Sequence, residues 1–164
     1  MPHKLDYVPA RAPRVDPAAP LVIGVIGEIT EQKGASVVKA MVQEMDRAGL
    51  EARVVVIGTL SAPHKSERLR VTGAYQRKDL VDLIEANGIN MLFFPSIWPE
   101  TFSYVVAEMI ALGLPIVAFD LGAQGERLAR HRLARLAPQV SAQSALATAI
   151  ELHRELRGAS SAAA

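Results

Sequence analysis

The stretch NMLFFPSIWPETFSYVVAEMIALGLPIVAFD, residues 90–120, decides the fold because it contains one strand, one helix and a second strand in succession. Residues 90–95 and 115–120 are short apolar runs, which predict strands. Residues 102–112 have apolar side chains at helical spacing and are followed by Gly113, a residue favoured just after a helix. Two strands joined through a helix are predicted to pair in parallel.

The same alternation extends in both directions along the chain. Further strands are predicted at residues 21–27, 52–58, 69–73 and 133–137, and further helices at 35–48, at 78–86, within 123–132, and after the N-cap Ser141. The run Val-Val-Val-Ile at 54–57 is apolar on both faces, as expected of a strand covered by helices on each side. The fold class is therefore α/β: a doubly wound, Rossmann-like parallel sheet of about six strands with helices on both faces.

The two ends of the chain differ from this pattern. Five of the ten prolines fall within residues 1–20, which predicts an extended Pro-rich linker. Residues 159–164 are small and predict a flexible tail, which leaves 21–158 as one domain. A linker at the start of a chain leads us to expect that this sequence is a piece of a longer polypeptide.

Composition excludes several classes of function. The formal net charge is +1 and no nucleic-acid-binding motif is present, so we expect no nucleic-acid partner. There are no cysteines, and the four histidines are scattered without ligand spacing, so we expect no metal site. No apolar run is long enough to serve as a signal peptide or membrane span, and we expect a soluble, cytoplasmic protein.

Lys33 lies just before the predicted helix 35–48, where the helix dipole disfavours a cation. An anion held jointly by Lys33 and the helix N–H groups would resolve this conflict, and phosphate is the natural candidate. On the local pattern alone, a solvated lysine paired with Glu28 or Glu31 is the favoured alternative. The glycines nearby lack the spacing of a dinucleotide fingerprint or a P-loop.

The segment that follows the strand 90–95 offers two carboxylates and a helix start. Glu100 precedes the helix at the sheet edge where ligands bind, and Thr101, Phe102 and Ser103 supply first-turn N–H groups. Glu108 lies two turns further along the same helix. The alternative is that Glu100 stabilises the helix N-terminus and that Glu108 lies on a solvent face; for Glu108 alone this alternative is favoured.

These residues resemble the group 1 family of retaining glycosyltransferases, which have the GT-B fold. That family carries a Glu-x7-Glu pair between a Pro-Ser dipeptide and a Gly-x-Pro strand start, and a Lys-Gly loop near the first strand. The matching positions in this sequence are Gly27, Lys33-Gly34, Gly58, Gly73, Pro95-Ser96, Glu100, Phe102, Glu108, Ala111, Gly113, Pro115, Gly122 and Glu126. The resemblance covers residues 21–157, nearly the whole predicted domain.

The resemblance implies a role for each matching residue. Lys33 and the backbone N–H groups of Thr101, Phe102 and Ser103 would contact the diphosphate of a nucleotide-sugar donor, in a loop that begins at Gly27. Glu100, the predicted catalytic residue, would bind hydroxyls of the transferred sugar, and Glu108 would bind the ribose. Tyr75 would lie near the base. No cofactor or metal is implied, because cationic side chains and helix N-termini stabilise the leaving diphosphate in this fold.

Two departures from the family pattern bear on donor binding: Glu28 stands where the family has Arg, and Ser103 where it has Gly. The resemblance also implies an N-terminal acceptor-binding domain that is absent from this sequence, so we expect only the donor-binding half of an enzyme. The alternatives are a non-catalytic regulatory or interaction module of the same fold, and half of a GT-B nucleotide-sugar epimerase or phosphorylase.

Overall fold

The computed structural model describes residues 8–61, 64–99 and 104–163. Within these ranges there are six strands and five α-helices, and a helix follows every strand except the second. The strands are β1 (Leu21–Ile29), β2 (Ala52–Leu60), β3 (Leu69–Val71), β4 (Met91–Phe94), β5 (Ile116–Phe119) and β6 (Ala134–Ala137). The helices are α1 (Ala35–Ala48), α2 (Leu80–Ala86), α3 (Tyr104–Leu112), α4 (Gly122–Ala129) and α5 (Ala142–Ala163).

The strands form one sheet in the order β3-β2-β1-β4-β5-β6, and every neighbouring pair is parallel. The prediction of a six-stranded, doubly wound parallel sheet is therefore confirmed. From β1 the chain winds outward through β2 to β3, and then returns to the other side of β1 to build β4, β5 and β6. The order reverses between β1 and β4, where a doubly wound sheet opens a crevice at its carboxyl edge.

Alternating side chains of the strands build a separate apolar core on each face of the sheet. In β1, Ile23 and Val25 pack with α1 and α5, whereas Val22 and Ile26 pack with α2, α3 and α4. Because both faces are covered, β4 and β5 are buried along their whole lengths. This explains why the two strands appear in the sequence as continuous apolar runs.

Helix boundaries agree with the sequence patterns in most places. Helix α1 has the predicted bounds, and Ser141 is the expected N-cap of α5, since the Ser144 N–H donates to its Oγ at 3.1 Å. Two differences occur. The segment before α2 begins as a short 3₁₀ helix, Arg77–Asp79, and α5 includes residues 159–163, where small side chains predict a flexible tail. Of the described helices, none is both long and apolar enough to cross a bilayer.

The proline-rich segment 8–20 contains no helix or strand and is held against the amino edge of the sheet. The Arg11 guanidinium pairs with Glu85 at the end of α2, and this contact, with the Arg14 N–H, lowers the pKa of the Glu85 carboxyl to about 2. Asn90 is buried, and its amide nitrogen donates to the carbonyl of Pro20 at 3.0 Å. The segment therefore approaches the sheet on the side opposite to the β1–β4 crevice.

Gly34, which caps the start of α1, makes a very close approach to the end of β4 at the carboxyl edge. Its φ is +98°, and a Cβ added there would lie 2.0 Å from the Pro95 carbonyl oxygen. Only glycine adopts this backbone conformation without strain and leaves room for that carbonyl. The start of α1 is consequently packed directly on the loop that follows β4.

We expect Gly34→Ala to lower the free energy of unfolding by more than about 3 kcal/mol, since it adds overpacking to positive-φ strain. Gly49→Ala, at the other end of α1, is the matched control, because φ there is +63° and no atom lies within 4 Å of the added Cβ. The control should lose only about 1–2 kcal/mol. Urea denaturation checks both values, and equal losses in the two variants would contradict the steric account.

Candidate functional site

A cavity of about 300 Å³ lies in the crevice between β1 and β4. It is lined by the end of β1, by the loop before α1 and by α3, including Gly27, Glu28, Lys33, Pro95 and Val105. The structure thus brings Gly27 and Lys33 together, as the sequence predicts. Glu28 and Lys33 are both exposed, so the cavity carries one side chain of each charge at its surface.

The loop after β4 is fixed through one backbone carbonyl. Ser96 is 1% exposed, and its hydroxyl donates to the Trp98 carbonyl at 3.2 Å. The Gln124 side-chain amide, from α4, donates to the same carbonyl at 3.1 Å. The Trp98 ring itself is exposed at the protein surface.

Four of the predicted site residues directly follow this loop and fall outside the described residues. They are Glu100, Thr101, Phe102 and Ser103. Their roles toward the sugar and the diphosphate therefore stay predictions.

Glu108 projects from α3 and is only 4% exposed. The Arg77 Nε–H donates to its Oε1 at 3.1 Å, and Nη2 of the same guanidinium lies 3.1 Å from that oxygen in an ion pair. The Tyr75 hydroxyl donates to the other oxygen, Oε2, at 3.4 Å. The alternative that Glu108 lies on a solvent face is therefore wrong: its side chain faces the loop that follows β3.

Burial raises the pKa of the Glu108 carboxyl above its ordinary value, because it removes water from the charged form. The positive charge of Arg77 and the hydrogen bonds from Tyr75 and Arg77 act in the opposite direction and offset part of this effect. The net pKa remains raised. The folded protein thus carries a carboxylate whose ionisation is costly without a hydrogen-bonding partner.

Tyr75 connects Glu108 with an open groove of about 600 Å³ at the end of β3. Thr72, Gln76 and Leu83 also line this groove. Val105 lines the first cavity, and Glu108 follows it by three residues on α3, about 4.5 Å along the helix axis. Glu108 lines neither surface itself, but it lies about one helical turn from Val105, which lines the cavity, and it is hydrogen-bonded to Tyr75, which lines the groove.

Arg77 is the site residue that the sequence analysis missed. It directly follows Tyr75 and Gln76, and it begins a helical segment, where the helix dipole disfavours a cation. The reasoning that singled out Lys33 would have found Arg77 as well. In the part of the chain that the structure describes, no three His, Cys, Asp or Glu side chains group together in a way that could hold a metal ion.

Another cavity, of about 510 Å³, lies at the opposite, amino edge of the sheet, and it is larger than the cavity between β1 and β4. The two arginines that line it already donate hydrogen bonds to backbone carbonyls. Arg68 donates to the Leu50 carbonyl, after α1, and Arg53 donates to the Asn87 carbonyl, after α2. The carboxyl ends of α1 and α2 reach this edge, and their dipoles disfavour anions. The crevice at the carboxyl edge is therefore the better site for an anionic ligand.

Comparison with known proteins identifies the family. The family model described as "Glycosyl transferases group 1" matches residues 20–154. The chain belongs to this family. Among curated proteins, it is 30% identical over 139 residues to UDP-GlcNAc:ribostamycin N-acetylglucosaminyltransferase of Streptomyces fradiae, a match that covers 79% of this chain and 36% of that enzyme. The chain thus spans about a third of the length of this relative.

Solved structures of group 1 glycosyltransferases and other sugar-transferring enzymes share the fold. The C-terminal domain of the group 1 protein LpcC from Francisella tularensis aligns with a TM-score of 0.64 at 16% identity, covering 89% of this chain and 87% of that chain. Anabaena HepE in complex with UDP and glucose also aligns at 0.64, with 15% identity, covering 88% of this chain and 44% of that chain. At these identities the likeness establishes the fold alone.

The raised pKa of Glu108 predicts how stability depends on pH in the ligand-free glycosyltransferase domain. The folded state holds the Glu108 proton more tightly than the unfolded state, so its contribution is fully present below the unfolded pKa and is lost as pH rises through the folded pKa. Glu108→Gln removes this titration. The variant should gain stability relative to the unmodified chain as pH rises from about 4.5 to 8, by about 1.4 kcal/mol for each unit by which the pKa is raised.

Urea denaturation at half-unit steps of pH measures this difference. Glu155→Gln is a suitable control, because Glu155 is an exposed carboxylate paired with Arg135 on the surface. A stability difference that shrinks as pH rises would contradict the raised pKa.

Proposed function

We propose that this chain is the donor-binding domain of a retaining group 1 glycosyltransferase, which binds a nucleotide sugar and supplies the sugar to a glycan or lipid-linked acceptor. The observation that carries the proposal is the arrangement around α3: buried Glu108 lies about one helical turn from Val105 in the cavity lined by Lys33, and it contacts Tyr75, which lines the groove after β3. The cavity, the Glu108 carboxylate and the groove suit three parts of such a donor, namely the diphosphate, the ribose and the base.

The diphosphate is proposed to lie in the cavity at the start of α1. Lys33 supplies a positive charge there, and the amino end of a helix carries a partial positive charge that favours phosphate. The close packing of Gly34 on Pro95 supports this placement, because it holds the helix end against the cavity. In this proposal no metal is needed to neutralise the diphosphate.

The ribose is proposed to bind Glu108, with the base directed toward the groove at Tyr75. An ionised carboxylate accepts hydrogen bonds at both oxygens, and sugar hydroxyls are donors that suit it. A charge-assisted bond of this kind contributes roughly 1.5–3 kcal/mol in a site shielded from water. The burial of Glu108 supports the proposal because a ligand hydroxyl there would compete with little bulk water.

The full transfer reaction is proposed to need a second domain for the acceptor. The match to about a third of the Streptomyces enzyme, and to nearly the whole C-terminal domain of LpcC, supports this division. Glu100 is proposed to bind the transferred sugar, with the N–H groups of Thr101, Phe102 and Ser103 on the diphosphate. UDP is the first nucleotide to test, since the Streptomyces enzyme is named for a UDP sugar and HepE was solved with UDP.

A second candidate is a non-catalytic module that keeps the fold without binding a donor. One observation favours it: the carboxylate of Glu28 lines the cavity proposed for the diphosphate, where it would repel phosphate. Direct measurement of nucleotide binding separates the two candidates.

We expect UDP at 100 times its dissociation constant to stabilise the domain by about 2.7 kcal/mol, a rise of roughly 5–10 °C in Tm for a chain of this size. Lys33→Ala should remove most of this rise, because it takes away the cation proposed to meet the diphosphate. Differential scanning calorimetry with and without UDP measures both quantities.

Lys39→Ala is the matched control, since it removes the same charge from the second turn of α1, away from the residues that line the cavity, and should keep the full rise in Tm. The same measurement with ADP and GDP tests adenine and guanine as alternative bases. If none of the three diphosphates shifts the Tm of the unmodified chain at millimolar concentration, the donor-binding proposal is wrong and the non-catalytic candidate gains.

A further inference from the structure

We propose that Arg77 is a positioning residue for the nucleotide: it holds one oxygen of the Glu108 carboxylate, so that the other oxygen is presented to the ribose hydroxyls. This inference rests on the proposed function, because it concerns the residue that is proposed to bind the ribose. Arg77 itself is assigned no contact with the donor.

The two oxygens of Glu108 have unequal partners. Oε1 accepts a hydrogen bond from Arg77 Nε at 3.1 Å and lies 3.1 Å from Nη2 of the same guanidinium in an ion pair. Oε2 accepts a single bond from the Tyr75 hydroxyl at 3.4 Å, which is long for a bond between two oxygens. Oε2 is therefore the oxygen with unused acceptor capacity, and a ligand hydroxyl would improve on its present partner.

The planar geometry of the Arg77 guanidinium fits a positioning role. Arg77 places two nitrogens of its rigid, planar guanidinium beside one carboxylate oxygen, which restricts the position of that oxygen. Its side chain is 35% exposed, whereas that of Glu108 is 5% exposed, so the carboxylate is the more enclosed member of the pair. Breaking such a pair leaves an enclosed charge without its main partner.

One short segment supplies both partners of Glu108. Tyr75 and Arg77 are separated only by Gln76, which has an extended backbone, and the Asp79 N–H closes the following turn on the Gln76 carbonyl at 2.9 Å. The segment after β3 thus carries the groove proposed for the base and also orients the carboxylate proposed for the ribose. Binding of base and ribose is linked through this segment.

Arg77 also affects the charge state of Glu108. Among the described residues, the titratable groups that contact the carboxylate are Tyr75 and Arg77. Desolvation raises the pKa of Glu108, and Arg77 gives the largest opposing effect. Removal of Arg77 should therefore raise the pKa of Glu108 further and leave more of the carboxyl protonated at mildly acidic pH.

The experiment compares binding of UDP and 2′,3′-dideoxy-UDP by isothermal titration calorimetry at pH 5.5, 6.5, 7.5 and 8.5. The ratio of the two affinities isolates the ribose hydroxyls, because titration of the phosphates affects both ligands alike. We expect the unmodified chain to prefer UDP by at least about tenfold at pH 7.5, the effect of one hydrogen bond to a charged group.

Arg77→Ala should reduce this preference to below about threefold, and the loss should be greater at the lower pH values, where more of the Glu108 carboxyl is protonated. Arg77→Lys should give an intermediate preference, because it keeps the charge but lacks the planar pair of donors. In Glu108→Gln the preference should be small and independent of pH, with or without Arg77.

Arg70→Ala, which removes an exposed cation from β3, is the control for net charge and should bind as the unmodified chain does. Thermal denaturation checks that each variant is folded. If Arg77→Ala does not fold, the comparison of UDP with 2′,3′-dideoxy-UDP is made on Arg77→Lys alone.

Arg77→Ala or Arg77→Lys with the full preference for UDP at every pH would overturn the role of Arg77, and the donor-binding proposal would stand. Tighter binding of UDP by these variants would also overturn it, since Arg77 would then compete with the ribose. An unmodified chain that binds no nucleoside diphosphate would overturn both proposals.

Discussion

The contact between Gly34 and the Pro95 carbonyl is the constraint on which the rest of the crevice depends. A side chain at residue 34 would overlap that carbonyl, so the start of α1 reaches the end of β4 only because glycine stands there. This approach brings Lys33 and the amino end of α1 to the point where the strand order reverses. A doubly wound sheet supplies the crevice, and the glycine determines how closely a helix end closes it.

Glu108 illustrates a conflict between stability and function within the same crevice. Burial raises the pKa of its carboxyl, and Arg77 offsets only part of that effect, so ionising the carboxyl costs more free energy in the folded state than in the unfolded state. A carboxylate with one well-bonded oxygen and one weakly bonded oxygen is suited to accept a hydrogen bond from a ligand.

The fold could be predicted from the sequence because its signals are local. The apolar runs of β4 and β5 and the periodicity of α1 report burial on one or both faces, and no knowledge of distant residues is needed. The site could be predicted only in part. Gly27 and Lys33 are close in the chain and lie on one cavity, but the partner of Glu108 is 31 residues away, and only the packing of α3 against the segment after β3 reveals it.

Two further features of the molecule were beyond local sequence patterns. The segment 8–20 has the composition of a linker, and yet Asn90 and Glu85 bind its backbone at the amino edge. The hydrophobic periodicity of the sequence does not predict these contacts. The burial of Glu108 was also contrary to the favoured interpretation, because a glutamate on a helix is usually solvated. In each case a polar group found partners that lie far away in the sequence.

The most direct test of the account is a titration of the ¹⁵N-labelled chain with UDP, followed by NMR chemical shifts of assigned backbone amides. The account predicts that the largest changes occur along the carboxyl edge, at Gly27, Lys33, Tyr75, Arg77 and Glu108. Amides around the amino-edge cavity, such as those of Leu50, Arg53 and Arg68, should change little. Changes concentrated at that amino-edge cavity, or no changes at millimolar UDP, would contradict the claim that the β1–β4 crevice binds the nucleotide.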